Sequence, residues 1–126
     1  MTRILVVEDD EDLREVVVLA LRSPGRTIME AQHGLDALAQ IEANGLPELI
    51  LLDMNMPVMN GWSFAEELRD RGLWRVPVIV LTAAHDAARS AQEIGASDYL
   101  GKPFEVRTLS AVVEKHLARA TNTLTA

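Results

Sequence analysis

Five consecutive acids, Glu8, Asp9, Asp10, Glu11 and Asp12, follow the apolar run Ile4-Leu5-Val6-Val7. Carboxylates crowded together repel one another and resist ionisation unless they share a cation. Clustered oxygen ligands on a partly open site suit Mg²⁺, or Mn²⁺, ions that tolerate retained water. The run divides into two kinds of role. Acids in the first turn of a helix are stabilised by its dipole, each by roughly 0.3–1 kcal/mol, and Asp10, Glu11 and Asp12 read that way. Glu8 and Asp9 stand where a buried strand would end. Asp53 stands in the same kind of place, directly behind Leu49-Ile50-Leu51-Leu52. It can cap the following turn, or it can serve as a carboxylate nucleophile beside a metal; by itself the residue carries both readings equally. Asn55, Met56-Pro57 and Asn60-Gly61 follow in a loop-rich stretch that keeps it accessible.

Two further groups complete the inventory. Thr82 ends the run Val78-Ile79-Val80-Leu81. Its hydroxyl can donate to a phosphoryl oxygen, or it can cap a helix or close a turn. Lys102 precedes Pro103 in the apolar setting Tyr99-Leu100-Gly101 and Phe104. A lone surface Lys says little, but one opposite three carboxylates can neutralise them and bind phosphate as a point charge. The Pro is a candidate for a cis peptide that aims the Lys. Acids, a hydroxyl and an ammonium are what phosphoryl transfer needs: a nucleophile, a cation site and donors for the equatorial oxygens.

These groups need elements to hold them. Arg3–Val7, Leu49–Leu52 and Val76–Leu81, interrupted by Pro77, are continuous apolar runs, the pattern of strands buried on both faces of a parallel sheet. Thr27–Ala31 and Tyr99–Leu100 are weaker strand candidates. Helical spacing links Leu13, Val16, Val17, Ala20 and Leu21, ending at Pro24-Gly25. It links Leu35, Leu38, Ala39 and Ile41, ending at Asn44-Gly45, and then Trp62, Ala65 and Leu68, ending near Gly72. Ala87, Ala88, Ala91 and Ile94 form a fourth helix closed by Gly95. Val106, Leu109, Val113 and Leu117 form the last. The order is strand then helix, five times over. That predicts an α/β domain, a doubly wound parallel sheet with helices on both faces. In such a sheet ligands bind at the carboxyl ends of the strands, where the acids, Thr82 and Lys102 fall.

Composition narrows the function. The chain has 126 residues and a net charge of −7. Residues 1–63 hold 4 Lys/Arg against 11 Asp/Glu, and the second half is balanced at 8 of each. An acidic domain without a basic run is a poor binder of nucleic acid or of an anionic membrane. The absence of cysteine excludes disulfides and Cys-based metal or catalytic sites. No apolar run reaches the length of a membrane span, and a soluble cytoplasmic protein is expected. One domain is expected over residues 1–120, with 121–126 a polar tail or the start of a linker.

The chain resembles the receiver domain of two-component response regulators over nearly its whole length. The matching stretches are Ile4 to Asp10, Glu30-Ala31 with Gly34 and Ala37-Leu38, Leu52 to Pro57 with Gly61, Pro77 to Ala83, and Gly95 to Phe104. The resemblance implies a flavodoxin-like sheet of order 2-1-3-4-5. It implies that Asp53 is the phosphoacceptor, served by a phosphohistidine on a sensor histidine kinase or a phosphotransfer protein. Asp9 then matches the direct Mg²⁺ ligand, Glu8 the acid that holds the ion through water, and the Asn55 backbone carbonyl a third ligand beside Asp53. Thr82 and Lys102 match the phosphoryl-binding pair, and Tyr99 matches an aromatic switch position. The face of the fourth helix, fifth strand and fifth helix would report to a downstream protein or output domain, and a homodimer is allowed. The chain would be a signalling phosphoacceptor that assists its own phosphorylation and dephosphorylation, not an enzyme. Glu8 departs from the commoner Asp, and Ala84 is smaller than its counterpart in some members.

Three rival readings fit the residues less well. A phosphatase of the haloacid dehalogenase type needs a Thr after its second acid; Asp10 and Asp12 have the spacing, but Leu13-Arg14 follows. A flavodoxin-like cofactor carrier needs a Ser/Thr/Gly phosphate loop where this chain has five acids. A receiver-like adaptor that is never phosphorylated is opposed by the complete acid, Thr and Lys set. Other residues have plain structural readings. Met54, Met56 and Met59 read as flexible packing, Trp62 as an anchor of the third helix, and Tyr99, taken alone, as a core aromatic with its hydroxyl at the surface. His33, His85 and His116 lack ligand spacing, and His116 is expected near a helix end.

Overall fold

The structure, a computed structural model, describes residues 2–125, with side chains to residue 118. Strands and helices alternate: β1 Thr2–Val7, α1 Glu11–Leu21, β2 Arg26–Ala31, α2 Gly34–Asn44, β3 Leu49–Asp53, α3 Gly61–Asp70, β4 Val78–Ala83, α4 Ala84–Ile94, β5 Asp98–Lys102 and α5 Val106–Thr125. All neighbouring strands pair in parallel, in the order β2-β1-β3-β4-β5. The expected fold class and strand order are thus observed.

The sheet is buried on both faces, and its pleat divides the core in two. Successive side chains of a strand point to opposite faces. Leu5, Val7, Ile50, Leu52, Val78 and Val80 face α2, α3 and the end of α4, where Leu38, Ile41, Phe64, Leu68 and Ile94 meet them. Ile4, Val6, Leu49, Leu51, Ile79 and Leu81 face α1 and α5, against Val17, Leu21, Leu109 and Val113. These continuous apolar runs alternate between two cores, which is why they show no polar alternation. Edge strand β2 is only partly buried.

Local chemistry sets the element ends. Asp10 caps α1, accepting from Leu13 N–H at 3.1 Å, and Glu11 and Asp12 fill the first turn. His33 Nδ1 caps α2 by accepting from Asp36 N–H at 3.1 Å. β4 starts later than the apolar run suggests. Pro77 has no N–H for the ladder, so it precedes the strand and only its carbonyl is used, accepting from Ile50 N–H at 3.0 Å. The strand then runs through Thr82 to Ala83, beyond the expected end at Leu81. α5 passes the expected boundary at residue 120 and continues to Thr125; Ala126 lies outside the described residues.

Two minor expectations change. His116 is not a helix-end residue. It is 4% exposed within α5, and its Nε2 lies 2.9 Å from Asp98 Oδ2 at the start of β5. Tyr99 is not a core aromatic, because 46% of it is exposed on β5. Met54 and Met56 are buried in the core with Met59 packed against it, and Trp62 Nε1 donates to Glu93 Oε1 at 3.1 Å, tying α3 to α4.

Candidate phosphoacceptor site

The parallel register brings the strand ends to one edge. Val7 is level with Leu52, Asp53 with Leu81, Thr82 with Gly101 and Ala83 with Lys102. Glu8 and Asp9 follow β1 directly. Glu8, Asp53 and Thr82 are all buried, while Asp9 is exposed at the rim. Asp53, Thr82 and Lys102 lie at the ends of their strands rather than in loops, so the sheet itself holds them.

Charge dominates the pocket. One carboxylate oxygen from each of Glu8, Asp9 and Asp53 lies within 4.8 Å of the others. Lys102 Nζ is 2.6 Å from Glu8 Oε1 and 3.5 Å from Asp53 Oδ2. The first contact is a close ion pair to a fully buried carboxylate. Glu8 Oε2 accepts from Asp10 N–H at 3.1 Å. Burial, and then the neighbouring Glu8 carboxylate, push the Asp53 carboxyl up to about 7, although Lys102 pulls it down. Burial works to lower Lys102, but its bond to Glu8 and the charges of Asp53 and Glu8 outweigh that and raise it. One ammonium thus offsets three carboxylates incompletely. An all-oxygen donor set whose negative charge one ammonium does not cancel fits a hard divalent cation.

The loop after β3 is tightly built. Asn55 N–H donates to Asp53 Oδ1 at 3.3 Å, a turn-closing contact of the kind the plain structural reading of Asp53 expects. Val58 has φ of 67° and is exposed, and Met59 N–H reaches Pro57 O at 2.7 Å around it. A β-branched residue at positive φ is strained, and buried Met56 and packed Met59 hold it from either side. Gly61 is required here, since a Cβ would lie 2.5 Å from Met54 Sδ and 2.9 Å from its Cα.

Thr82 does not cap α4. Ala83 occupies the cap position and offers no side-chain bond. The Thr82 hydroxyl instead accepts from Asn55 Nδ2 at 3.2 Å. Lys102–Pro103 is cis, as the sequence suggested. Six of the seven sequence-derived residues, Glu8, Asp9, Asp53, Asn55, Thr82 and Lys102, therefore gather at one edge. The profile of the response regulator receiver domain matches residues 4–114. The chain belongs to this family. It is 38% identical to the alkaline phosphatase synthesis transcriptional regulatory protein SphR of Synechococcus elongatus, covering 96% of this chain and 51% of SphR. It is 37% identical to the DNA-binding transcriptional regulator NtrC of Salmonella typhimurium, over 90% of this chain and 24% of NtrC. The chain thus spans about half, or about a quarter, of these curated relatives. Among solved structures it is similar to the receiver domain of Francisella response regulator 1452, with a TM-score of 0.83, 28% identity and coverage of 94% and 98%. A receiver domain is a signalling module of two-component systems.

Tyr99, the remaining one of the seven sequence-derived residues, sits on β5 of this receiver domain two positions before Gly101 and so on the same strand face. Sequence reasoning did not find three contributors. The Asn55 side chain reaches Thr82 across 27 residues of chain. Arg14 Nη1 donates to the Glu8 carbonyl at 2.8 Å while its Nε pairs with Glu30 at 3.1 Å, bracing the acidic turn. Gly101 admits the start of α4, for a Cβ there would lie 2.5 Å from Ala84 Cα. Only the Gly next to the Lys-Pro pair offered any signal. Among the described residues, no helix is long and apolar enough to cross a membrane.

Proposed function

We propose that Asp53 accepts a phosphoryl group from a phosphohistidine of a sensor histidine kinase or phosphotransfer protein. The observation that carries this reading is the buried Asp53 carboxylate, with Lys102 Nζ 3.5 Å away and Glu8 and Asp9 beside it. An Asp53 oxygen forms the new O–P bond, the N–P bond breaks, and the imidazole keeps the electron pair and takes up a proton. Glu8, Asp9, Asp53 and the Asn55 carbonyl would hold Mg²⁺, or Mn²⁺, whose charge neutralises phosphoryl oxygens. Lys102 then supplies a fixed positive charge, and Thr82 a hydroxyl donor, to the oxygens that carry the developing charge. Because these groups stand in the domain, it assists its own phosphorylation and dephosphorylation.

The product adds negative charge and acceptor oxygens beside Thr82. Thr82 turns toward them, Tyr99 takes the space that it leaves, and the α4–β5–α5 face shifts its population of states. That face serves a downstream protein, an output domain or a second copy of the chain. A cytoplasmic setting, where kinase and receiver meet, belongs to the same reading. The decisive experiment is to incubate the protein with Mg²⁺ and a small acyl phosphate and weigh it. One base-labile phosphoryl group is expected, absent in Asp53→Asn. No mass gain, as for a phosphorylation-independent adaptor, or a gain that survives the substitution, overturns the assignment. In a titration of Mg²⁺ alone, Asp9→Asn should bind the ion much more weakly; unchanged binding would move the metal elsewhere.

A further inference from the structure

In the proposed reaction Asn55 contributes its backbone carbonyl, and its side chain has no task. The side chain is nevertheless engaged. Its Nδ2 donates to Thr82 Oγ1 at 3.2 Å, while its backbone N–H donates to Asp53 Oδ1 at 3.3 Å. One residue thereby ties the end of β3 to the end of β4. Thr82 is 1% exposed, so water does not readily replace that bond. A threonine side chain occupies one of a few χ1 wells, and each well aims the hydroxyl differently. A donor fixed on Oγ1 weights the well that keeps the oxygen within its reach.

We infer that the Asn55 carboxamide is a latch, a positioning residue that holds Thr82 in its resting orientation. Ligation at Asp53 then has to release the latch before Thr82 can turn. The resting-state part stands on the observed hydrogen bond; the release rests on the proposed phosphorylation of Asp53. A hydrogen bond between neutral groups favours the bonded state by about 2- to 10-fold. That is enough to bias Thr82 and small enough for a phosphoryl group to overcome. The latch also accounts for a polar carboxamide at a position whose proposed metal contact needs only a backbone oxygen.

The test reads Thr82 directly. Three-bond NMR couplings to its methyl carbon report the χ1 populations in Mg²⁺-free, unphosphorylated protein. In Asn55→Ala the ratio of the resting rotamer to the others should fall by about 2- to 10-fold. Asn55→Leu keeps a side chain of similar shape but can neither donate to nor accept from the hydroxyl, and should fall equally. Unchanged populations in Asn55→Ala, or a loss in Asn55→Ala that Asn55→Leu does not share, overturn the latch. After treatment with acyl phosphate and Mg²⁺, wild type and Asn55→Ala should share one Thr82 rotamer distribution, because the latch is already open. A difference that persists in phosphorylated protein refutes its release by ligation. If the wild type takes up no phosphoryl group, the proposed function falls, and the resting-state couplings still decide the latch.

Discussion

Asp53→Asn should make the metal-free protein more stable, and increasingly so as pH rises. In the unfolded chain this carboxyl ionises near 3.8, but in the folded pocket it is held up to about 7 by burial and by Glu8. An acid with a raised folded value binds its proton more tightly in the native state. Its ionisation therefore costs stability, from the unfolded value upward, and the cost levels off above the folded value. The cost is about 1.5 kcal/mol near pH 5 and about 4 kcal/mol near pH 8. The amide of the Asp53→Asn variant carries no such charge, and the Oδ1 that accepts from Asn55 N–H is retained. The stability gained by the variant should then grow by about 2–3 kcal/mol between those two pH values. Urea unfolding in chelator, at both pH values and for both proteins, measures it. Added Mg²⁺ should narrow the gap by stabilising the wild type, through its preference for the native cluster. Parallel curves for wild type and variant in chelator would refute the argument, since the charge penalty would then lie on some other group.

Two other substitutions probe the frame around the site. Gly101→Ala puts a methyl 2.5 Å from Ala84 Cα and 2.7 Å from its Cβ, and overpacking of that kind costs about 1–3 kcal/mol. Adding Ala84→Gly should restore only part of the loss, because the backbone of residue 84 stays too close to the new methyl; full rescue would show that the two side chains alone clash. His116→Ala removes a buried partner of Asp98 and should cost about 1.5–3 kcal/mol by denaturant unfolding at neutral pH. Burial works to raise Asp98, but the His116 bond, the Tyr99 N–H and the His116 and Lys115 charges together hold it below the usual carboxylate range. The stability it contributes is complete above the unfolded value and is lost as pH falls through the lowered one. The variant should therefore lose less stability on acidification than the wild type; equal losses would remove His116 from that account.

Much of this protein is legible in its residues. Three apolar runs mark strands buried on both faces, and their order with five helical patterns is sufficient for the α/β class. Glu8, Asp9, Asp53, Thr82 and Lys102 are readable as a group because a parallel sheet collects residues that follow successive strands at one edge. That inference needs only sequence position. The same positional logic misplaces Pro77 inside a strand, although its missing N–H is visible in the sequence.

What the tertiary structure decided are contacts between residues far apart in the chain. Whether the Thr82 hydroxyl caps α4 or bonds elsewhere cannot be read locally; both uses suit a Thr, and the partner that it takes, Asn55, lies 27 positions away. His116 reads as a helix-end residue until β5 brings Asp98 within 2.9 Å of it. Tyr99 reads as apolar core by composition, yet lies half exposed on β5. The Asp53 carboxyl reaches about 7 only because folding removes water from it and sets Glu8 beside it. Residue type and spacing determined which groups meet at the sheet edge. Their ionisation, their hydrogen-bond partners and the room around them arise from burial and distance, which exist only once the strands are in register.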